Sequence, residues 1–519
     1  MISALARSKV QLSLKDSKGL QTFGRRSKQP YMSPVSANAL RALDTEVVCW
    51  PLHSPLAGRE EGSFAQGTIT TRLPSIVSSM TKDLKATADA VFREDYEAQR
   101  QVLAAVTEIE GMKQELLTAI TSCPLNLEAP PGSTVALQAS VSCTNECMDA
   151  WRLRVAIGLH GLPHGSTPTW LNLPWLLVEC YMYVRIAVAI QSQPILRELN
   201  FDPFKTQKLV AFDKSSASIT NMAQAVHNLV TTSGSTSTVD VIRKGLYEVI
   251  QYSLWGNKTD LSLLVDASKI DPSAMATALS SVAGSPFLIV DEFDSVSALL
   301  CGPGNTRKGL KQGATRRIDI VLDNSGLELY SDLCLADVLI HYGLADEAVF
   351  HGKPFGWFVS DTTREDFSET IEMCAAAPQG NIPPGWTSVQ SLATRWKDHL
   401  KSGRWRYTEH VFWVTPAPTS WMHEIAPDLY QELSNSNLII FKGDLNYRKL
   451  VFDCRWPAEE TSFKESLMGF SPASLLSLRT LKADVIAGLK SGQCDRLHAI
   501  DGQWQVNGKF AVIQSHINL

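Results

Sequence analysis

Cysteine is scarce in this chain: ten in 519 residues, with Cys143 and Cys147 the closest pair. No second pair stands at zinc-site spacing, which argues against a structural zinc and against a disulfide-stapled scaffold. Scattered thiols of this kind are expected to be reduced and mostly buried, hence an intracellular protein. Long apolar runs are missing too. The best candidate, residues 171–190, is interrupted by Pro174, Glu179 and Arg185, so no membrane-spanning helix and no membrane partner are expected. The N-terminal stretch lacks the apolar core and small-residue cleavage site of a secretory leader, so the sequon Asn257-Lys-Thr259 is read as unmodified. There is no internal repeat at solenoid or propeller periods. A P-loop is absent as well. Cys301-Gly-Pro-Gly-Asn-Thr-Arg-Lys-Gly309 is glycine-rich and basic but out of register, and with Arg316 and Arg317 it reads as a solvated insertion loop. Residues 129–142 likewise read as an inserted loop.

What is present is a foldable, mildly acidic chain. With 44% apolar and 19% charged residues there is material for a large core and no case for global disorder. The net charge of −5 is uneven. Residues 1–31 carry seven cations (Arg7, Lys9, Lys15, Lys18, Arg25, Arg26, Lys28) against one acid, Asp16, so this segment is +6 and the remainder −11. Such a body lacks the basic surface that nucleic acid requires. The basic start is expected to be a disordered extension over residues 1–50, though its composition also fits a transit peptide. The expected compartment is the cytoplasm, with the nucleus as an alternative.

Up to about residue 250 the patterning is helical. Val102, Val106, Ile109, Met112, Leu116 and Ile120 recur at steps of three and four, Ala129-Pro-Pro-Gly-Ser133 breaks the run, and a second helical tract extends from about Asn145 to Gln191. From about 285, short apolar runs alternate with helical patterns: Phe287–Val290, Ile318–Leu322, Ala348–Phe350, His410–Val414, Leu438–Phe441 and Phe510–Ile513. This predicts a mostly parallel sheet covered on both faces. The expected fold is α/β, a three-layer α/β/α sandwich over 251–519 behind a helical domain over 51–250.

Three of the predicted strands end in chemistry. Ile318–Leu322 runs into Asp323-Asn324, Leu438–Phe441 into Lys442-Gly443-Asp444, and Ala348–Phe350 leads through Lys353 to Ser360-Asp361. Ligands of parallel α/β sheets bind beyond the carboxyl ends of the strands, so these residues are expected to converge. Asp323, Asn324 and Asp361 offer hard oxygen donors suited to Mg²⁺ or Mn²⁺. Lys442, Arg448, Arg479 and Lys482 are cations able to hold a phosphoryl group. Simpler readings stand beside this one. Asp323-Asn324 fits a turn, Ser325-Gly-Leu-Glu328 a capping box, and Asp361 a helix cap.

The sequence resembles the damage-control phosphatase family, also called acidic-residue methyltransferase-like. The segments that carry the resemblance are Gly62-Ser-Phe64 with Thr71-Arg-Leu-Pro74, Pro174-Trp-Leu-Leu-Val-Glu-Cys-Tyr181, Leu254-Trp-Gly-Asn-Lys-Thr-Asp-Leu-Ser262, Leu322-Asp-Asn-Ser-Gly-Leu-Glu-Leu329, Phe358-Val-Ser-Asp361 and Phe441-Lys-Gly-Asp-Leu-Asn-Tyr-Arg-Lys449. Arg479-Thr-Leu-Lys482 looks like the RTxK signature of subfamily III. The resemblance implies an α/β/α fold with an added helical domain and metal-dependent hydrolysis of sugar phosphates such as fructose 1-phosphate and fructose 6-phosphate. It implies Asp323, Asn324 and Asp361 as ligands for Mn²⁺, Ni²⁺, Co²⁺ or Mg²⁺. It further implies Asp444, Leu445, Asn446, Tyr447 and Arg448, together with Lys482, as substrate contacts, with Asn257 and Asp260 in a pocket-associated motif; Asp323 and Asn324, and the cations Lys442 and Arg479, are expected at the substrate beside them. Asp444 is expected to orient the substrate or an attacking group.

The expected partner is thus a small phosphorylated metabolite. Two other functions fit the same residues. One is an S-adenosylmethionine-dependent methyltransferase of protein carboxylates, in which Glu328 meets the cofactor; no G-x-G turn follows an early strand of the α/β half. The other is a non-catalytic metal-binding regulatory module, against which the four cations argue.

Overall fold

The computed structural model describes residues 50–118, 127–156, 168–232, 237–256, 287–302, 315–376 and 382–518. The basic extension before Trp50, Asn257, Asp260 and the basic residues from Arg307 to Lys311 lie outside these.

Segments of four to six residues pair into one sheet: β1 (Leu288–Asp291), β2 (Arg317–Val321), β3 (Glu347–Gly352), β4 (Trp405–Glu409), β5 (Leu438–Lys442), β6 (Leu475–Thr480) and β7 (Ala511–His516). Their order is β1-β7-β6-β5-β2-β3-β4. Every neighbouring pair is parallel except β6 with β7, so β1 and β7 run against the other five.

Period-two burial makes three layers. Ile318 and Ile320 of β2, and Leu438 and Ile440 of β5, enter one apolar cluster; Val321, Ile439 and Phe441 enter the other. The second of these clusters is built with α1 (Leu73–Val91), α2 (Tyr96–Thr118), α3 (Val135–Ala156) and α4 (Trp175–Gln191). Further along the chain, α5 (Lys205–Lys214) leads to the opposite layer. That layer comprises α6 (Ser216–Thr232), α7 (Val239–Gly256), α8 (Phe293–Cys301), α9 (Leu327–His341), α10 (Arg364–Ala375) and α11 (Trp386–Lys401). Helices from before residue 256 thus cover both faces of the sheet, and the expected α/β/α sandwich is the observed one. No helix among the described residues is long and apolar enough to cross a membrane.

Four local expectations are corrected. His410–Val414 is not a strand: Val411–Val414 is a buried 3₁₀ turn whose N-cap, His410, accepts from Phe412 N at 3.1 Å, and the strand is the polar edge segment just before it. A short apolar run buries equally well in either conformation. The sequence does not predict β6, because Ser477, Arg479 and Thr480 are polar; in the sheet all three are buried. Residues 129–142 are no loop beyond Thr134, since α3 begins at Val135 and Ser140 Oγ donates to Val414 O at 2.6 Å. Arg316 and Arg317 are not solvated. Arg316 pairs with Asp346 at 2.7 Å, and Arg317 Nε donates to Asp319 Oδ2 at 2.8 Å.

Buried acids give the fold an acid limit. Burial alone would raise the carboxyls of Asp319, Asp337 and Asp366. His351 with Arg317, His399 with Arg395, and Lys208 with Lys205 outweigh it and hold all three below the usual 3.8. Each contribution is complete above the unfolded value and is lost as pH falls through 3.8 toward the folded one. The melting temperature is expected to hold steady down to about pH 5 and to fall steeply below about pH 4. A scan still flat at pH 3 would contradict these pairings.

Candidate active site

The strand order reverses direction between β2 and β5: from β2 the chain adds β3 and β4 on one side, then β5 and β6 on the other. In such sheets the crevice at the reversal, beyond the carboxyl ends, is where ligands bind. Asp323 leaves β2 there and Gly443-Asp444 leave β5. The contact is so close that a Cβ on Gly443 would lie 1.8 Å from Asp323 Oδ2, and Gly443 has φ +77°. Only glycine lets the strand turn there into α12 (Gly443–Leu450) with the carboxylate against its first residue.

Asp361 arrives on the 353–363 loop after β3. Asn324 and Asp361 form an isolated antiparallel bridge, Thr362 N donates to Asp323 O at 2.9 Å, and Ser325 N to Ser360 O at 2.7 Å. Ser360 Oγ donates to Asn324 Oδ1 at 2.5 Å, while Asn324 Nδ2 donates to Asp323 Oδ2 (2.9 Å) and Glu328 Oε2 (2.7 Å). Lys353 Nζ donates to Leu322 O at 2.9 Å and pairs with Asp361 Oδ2 at 3.1 Å. Just before Asp361, Phe358 (φ 43°) and Val359 (φ 69°) both sit in the left-handed region, a strained conformation for a β-branched residue. These contacts exclude the two capping readings. Glu328 bonds a side chain rather than capping α9, whose N-cap Gly326 makes no side-chain bond, and the cap of α10 is Thr363 with Asp366, not Asp361.

Asp323, Asn324, Asp361, Asp444, Leu445, Arg448 and Lys482 line one polar cleft of about 30 Å³, room for a water molecule or an ion. Arg72, Trp175, Glu179 and Phe358 complete its wall. None of these four is among the site residues expected from the sequence, although all lie inside segments that carry the family resemblance. Arg72 closes a short π-helical turn, Thr68–Arg72, a backbone form often found at functional sites. Arg448 is stacked over Trp175 at 3.7 Å and forks onto Asp453 (2.8 and 2.9 Å) while reaching Glu179 at 2.6 Å. Burial raises the Glu179 carboxyl against the pull of Arg448. A larger cavity of about 210 Å³ borders the same loop at Phe355, Gly356 and Thr363, but it gathers none of the predicted site residues.

The family model of the damage-control phosphatase ARMT1-like domain matches residues 68–497. The chain belongs to this family. Damage-control phosphatase ARMT1 of Danio rerio is 37% identical over 88% of this chain and 96% of its own length, and that of Homo sapiens 35% identical over 88% and 97%. A solved DUF89 family protein from Pyrococcus horikoshii overlaps 73% of this chain and 92% of its own at a TM-score of 0.34 and 12% identity.

In this family member, four residues expected at the substrate stand behind the cleft instead. Lys442 is fully buried, donates to Ser253 O at 2.5 Å and pairs with Asp332 (3.1 Å) and Glu328 (3.4 Å). Burial pushes the Asp332 carboxyl up to about 7 despite that lysine. Arg479 donates to Asp444 Oδ1 (2.7 Å), Val485 O (2.6 Å) and Ala483 O (2.9 Å), with its guanidinium 4.1 Å from the Tyr447 ring. It clamps the turn that delivers Lys482, whose own N–H donates to Asp444 Oδ1 at 3.1 Å. Asn446 Nδ2 ties α12 to Lys442 O and Leu322 O, and Tyr447 OH accepts from Ala487 N. Glu328 is fully buried and does not line the cleft.

Among the described residues no group of three or more His, Cys, Asp or Glu is arranged to hold a metal. Asp323, Asn324 and Asp361 are a different kind of set: two carboxylates and an amide, brought together in one polar cleft. Hard cations such as Mg²⁺ and Mn²⁺ accept one or two carboxylates and complete their shell with water and substrate phosphate, so the donor set fits them.

Proposed function

We propose that this protein is a metal-dependent phosphatase of small phosphorylated metabolites, with sugar phosphates such as fructose 1-phosphate and fructose 6-phosphate as its substrate class. The observation that carries the reading is the convergence, in one cleft at the reversal of the sheet, of two carboxylates and an amide with Lys482, Arg448 and Arg72. Asp323, Asn324 and Asp361 are the residues that hold Mn²⁺, Mg²⁺, Co²⁺ or Ni²⁺. When bound, such an ion neutralises the phosphoryl oxygens and acidifies a water.

The chain's own groups do the rest. Lys482 and Arg72 meet the phosphate as cations. Arg448, already held by Asp453 and Glu179, is a fixed wall rather than a mobile arm. Asp444, oriented by Arg479 and by the Lys482 amide, accepts a hydroxyl of the sugar or of the attacking water. Positioning and charge neutralisation are most of what phosphoryl transfer requires.

Phosphate release from fructose 1-phosphate with Mn²⁺, measured colorimetrically, tests this directly. EDTA is expected to abolish it and added Mn²⁺ to restore it; full activity in chelator would overturn the reading. Lys482→Met removes one charge-assisted bond to phosphate and is expected to raise KM about 10–100-fold, since such bonds contribute roughly 1.5–3 kcal/mol. A KM within twofold of the parent would exclude Lys482 from the phosphate.

A further inference from the structure

We propose that Lys208, on α5 in the helical part of the chain, is a positioning residue that fixes the direction of Asp361. The proposal rests on the reading of Asp361 as a metal ligand. Lys208 is 3% exposed, and its ammonium makes three bonds: Asp366 Oδ2 at 2.6 Å, Asp202 Oδ2 at 2.7 Å and the backbone carbonyl of Asp361 at 2.8 Å. An ammonium has three protons, so its hydrogen-bonding capacity is filled.

The two carboxylates account for burying the charge; the third bond does something else. It is directional, crosses 153 residues of sequence, and grips the peptide that carries the Asp361 side chain. That peptide needs a grip. The two residues before Ser360-Asp361 have positive φ without being glycine, a conformation that persists only where the surroundings over-determine it.

The surroundings supply the support in layers. Asp202 packs on the loop so closely that a Cβ on Gly356 would meet its Oδ1 at 2.5 Å. Asp366 takes the Thr363 amide at 3.0 Å, closing the far end of the loop. From the sheet side Lys353 pairs with the Asp361 carboxylate itself. Lys208 therefore holds the Asp361 backbone while Lys353 meets its side chain. Outer groups that orient a metal ligand typically change affinity by about 10–100-fold when removed.

The experiment compares Asp202→Asn, which keeps the Lys208–Asp361 bond, with Lys208→Met/Asp202→Asn, which removes one charge of each sign and that bond. In Mn²⁺ calorimetry of the full chain, Asp202→Asn is expected within threefold of the parent. The double variant is expected to bind at least tenfold more weakly, with a lower kcat and a KM for fructose 1-phosphate within threefold. Amide hydrogen exchange should quicken at residues 357–362 and not in β2 or β5. Equal Mn²⁺ affinity in the two variants, or unchanged exchange at 357–362, would overturn the positioning role.

A parent that binds no Mn²⁺ would instead remove the metal reading of Asp361 on which this role depends. Should the double variant not fold, Lys208→Arg keeps the charge but not the single ammonium bond. It is expected to weaken Mn²⁺ at least threefold; wild-type affinity in folded Lys208→Arg would overturn the proposal.

Discussion

Asp323→Asn is expected to lower kcat on fructose 1-phosphate by about a thousandfold, the scale seen when one preorganised charge-stabilising group is lost, while the protein stays folded. The substitution is nearly isosteric, and the backbone bond from Thr362 N to Asp323 O does not depend on the side chain. What changes is the charge. Asp323 is the carboxylate at the reversal of the sheet, against Gly443 and beside Asn324, and a neutral amide there weakens any divalent ion at the site. The measurements are kcat, the Mn²⁺ dissociation constant and the melting temperature of one preparation. Activity above about a tenth of wild type in a folded variant would remove Asp323 from the proposed centre.

Gly443→Ala is expected to damage both fold and site. A methyl group would sit 1.8 Å from Asp323 Oδ2 and 2.2 Å from its Cγ, at a residue with φ +77°. The conformational part costs roughly 1 kcal/mol or more and the overlap about 1–3 kcal/mol, so a loss of roughly 3 kcal/mol in denaturant unfolding is expected, with activity reduced more than a hundredfold as Asp323 is displaced. Gly403 is the control. It has φ +75° but nothing within 4 Å of a built Cβ, so Gly403→Ala should show the smaller conformational cost alone and keep full activity. Equal stability losses at the two glycines would mean that the carboxylate contact contributes nothing.

Much of this site was legible in the residues because its parts are local. Asp323-Asn324, Asp361 and Asp444 each follow an apolar run, and a run buried on both faces ends where the sheet meets its crevice. Asx residues there are visible without knowing what they face. The cations were visible as cations but not as contacts. Lys442 and Arg479 carry the same charge as Lys482, yet Lys442 is absorbed by Asp332 and Glu328, and Arg479 by Asp444 and two carbonyls. Side-chain direction alternates along a strand. Lys442 and Arg479 sit within β5 and β6, whereas Lys482 lies two residues past the end of β6 and lines the cleft.

From the sequence alone follow the covered, mostly parallel sheet, the family resemblance and the acids that gather at its carboxyl edge, because hydrophobic period and strand ends are properties of short segments. The tertiary structure decided the rest: that β6 is a strand at all, that Arg72, Trp175, Glu179 and Phe358 wall the cleft, and that Lys208 reaches Asp361. Glu179 and Arg448 are 269 residues apart and Lys208 and Asp361 are 153 apart. Which buried charge neutralises which is set by how the helices fold over the sheet, and no local pattern records it.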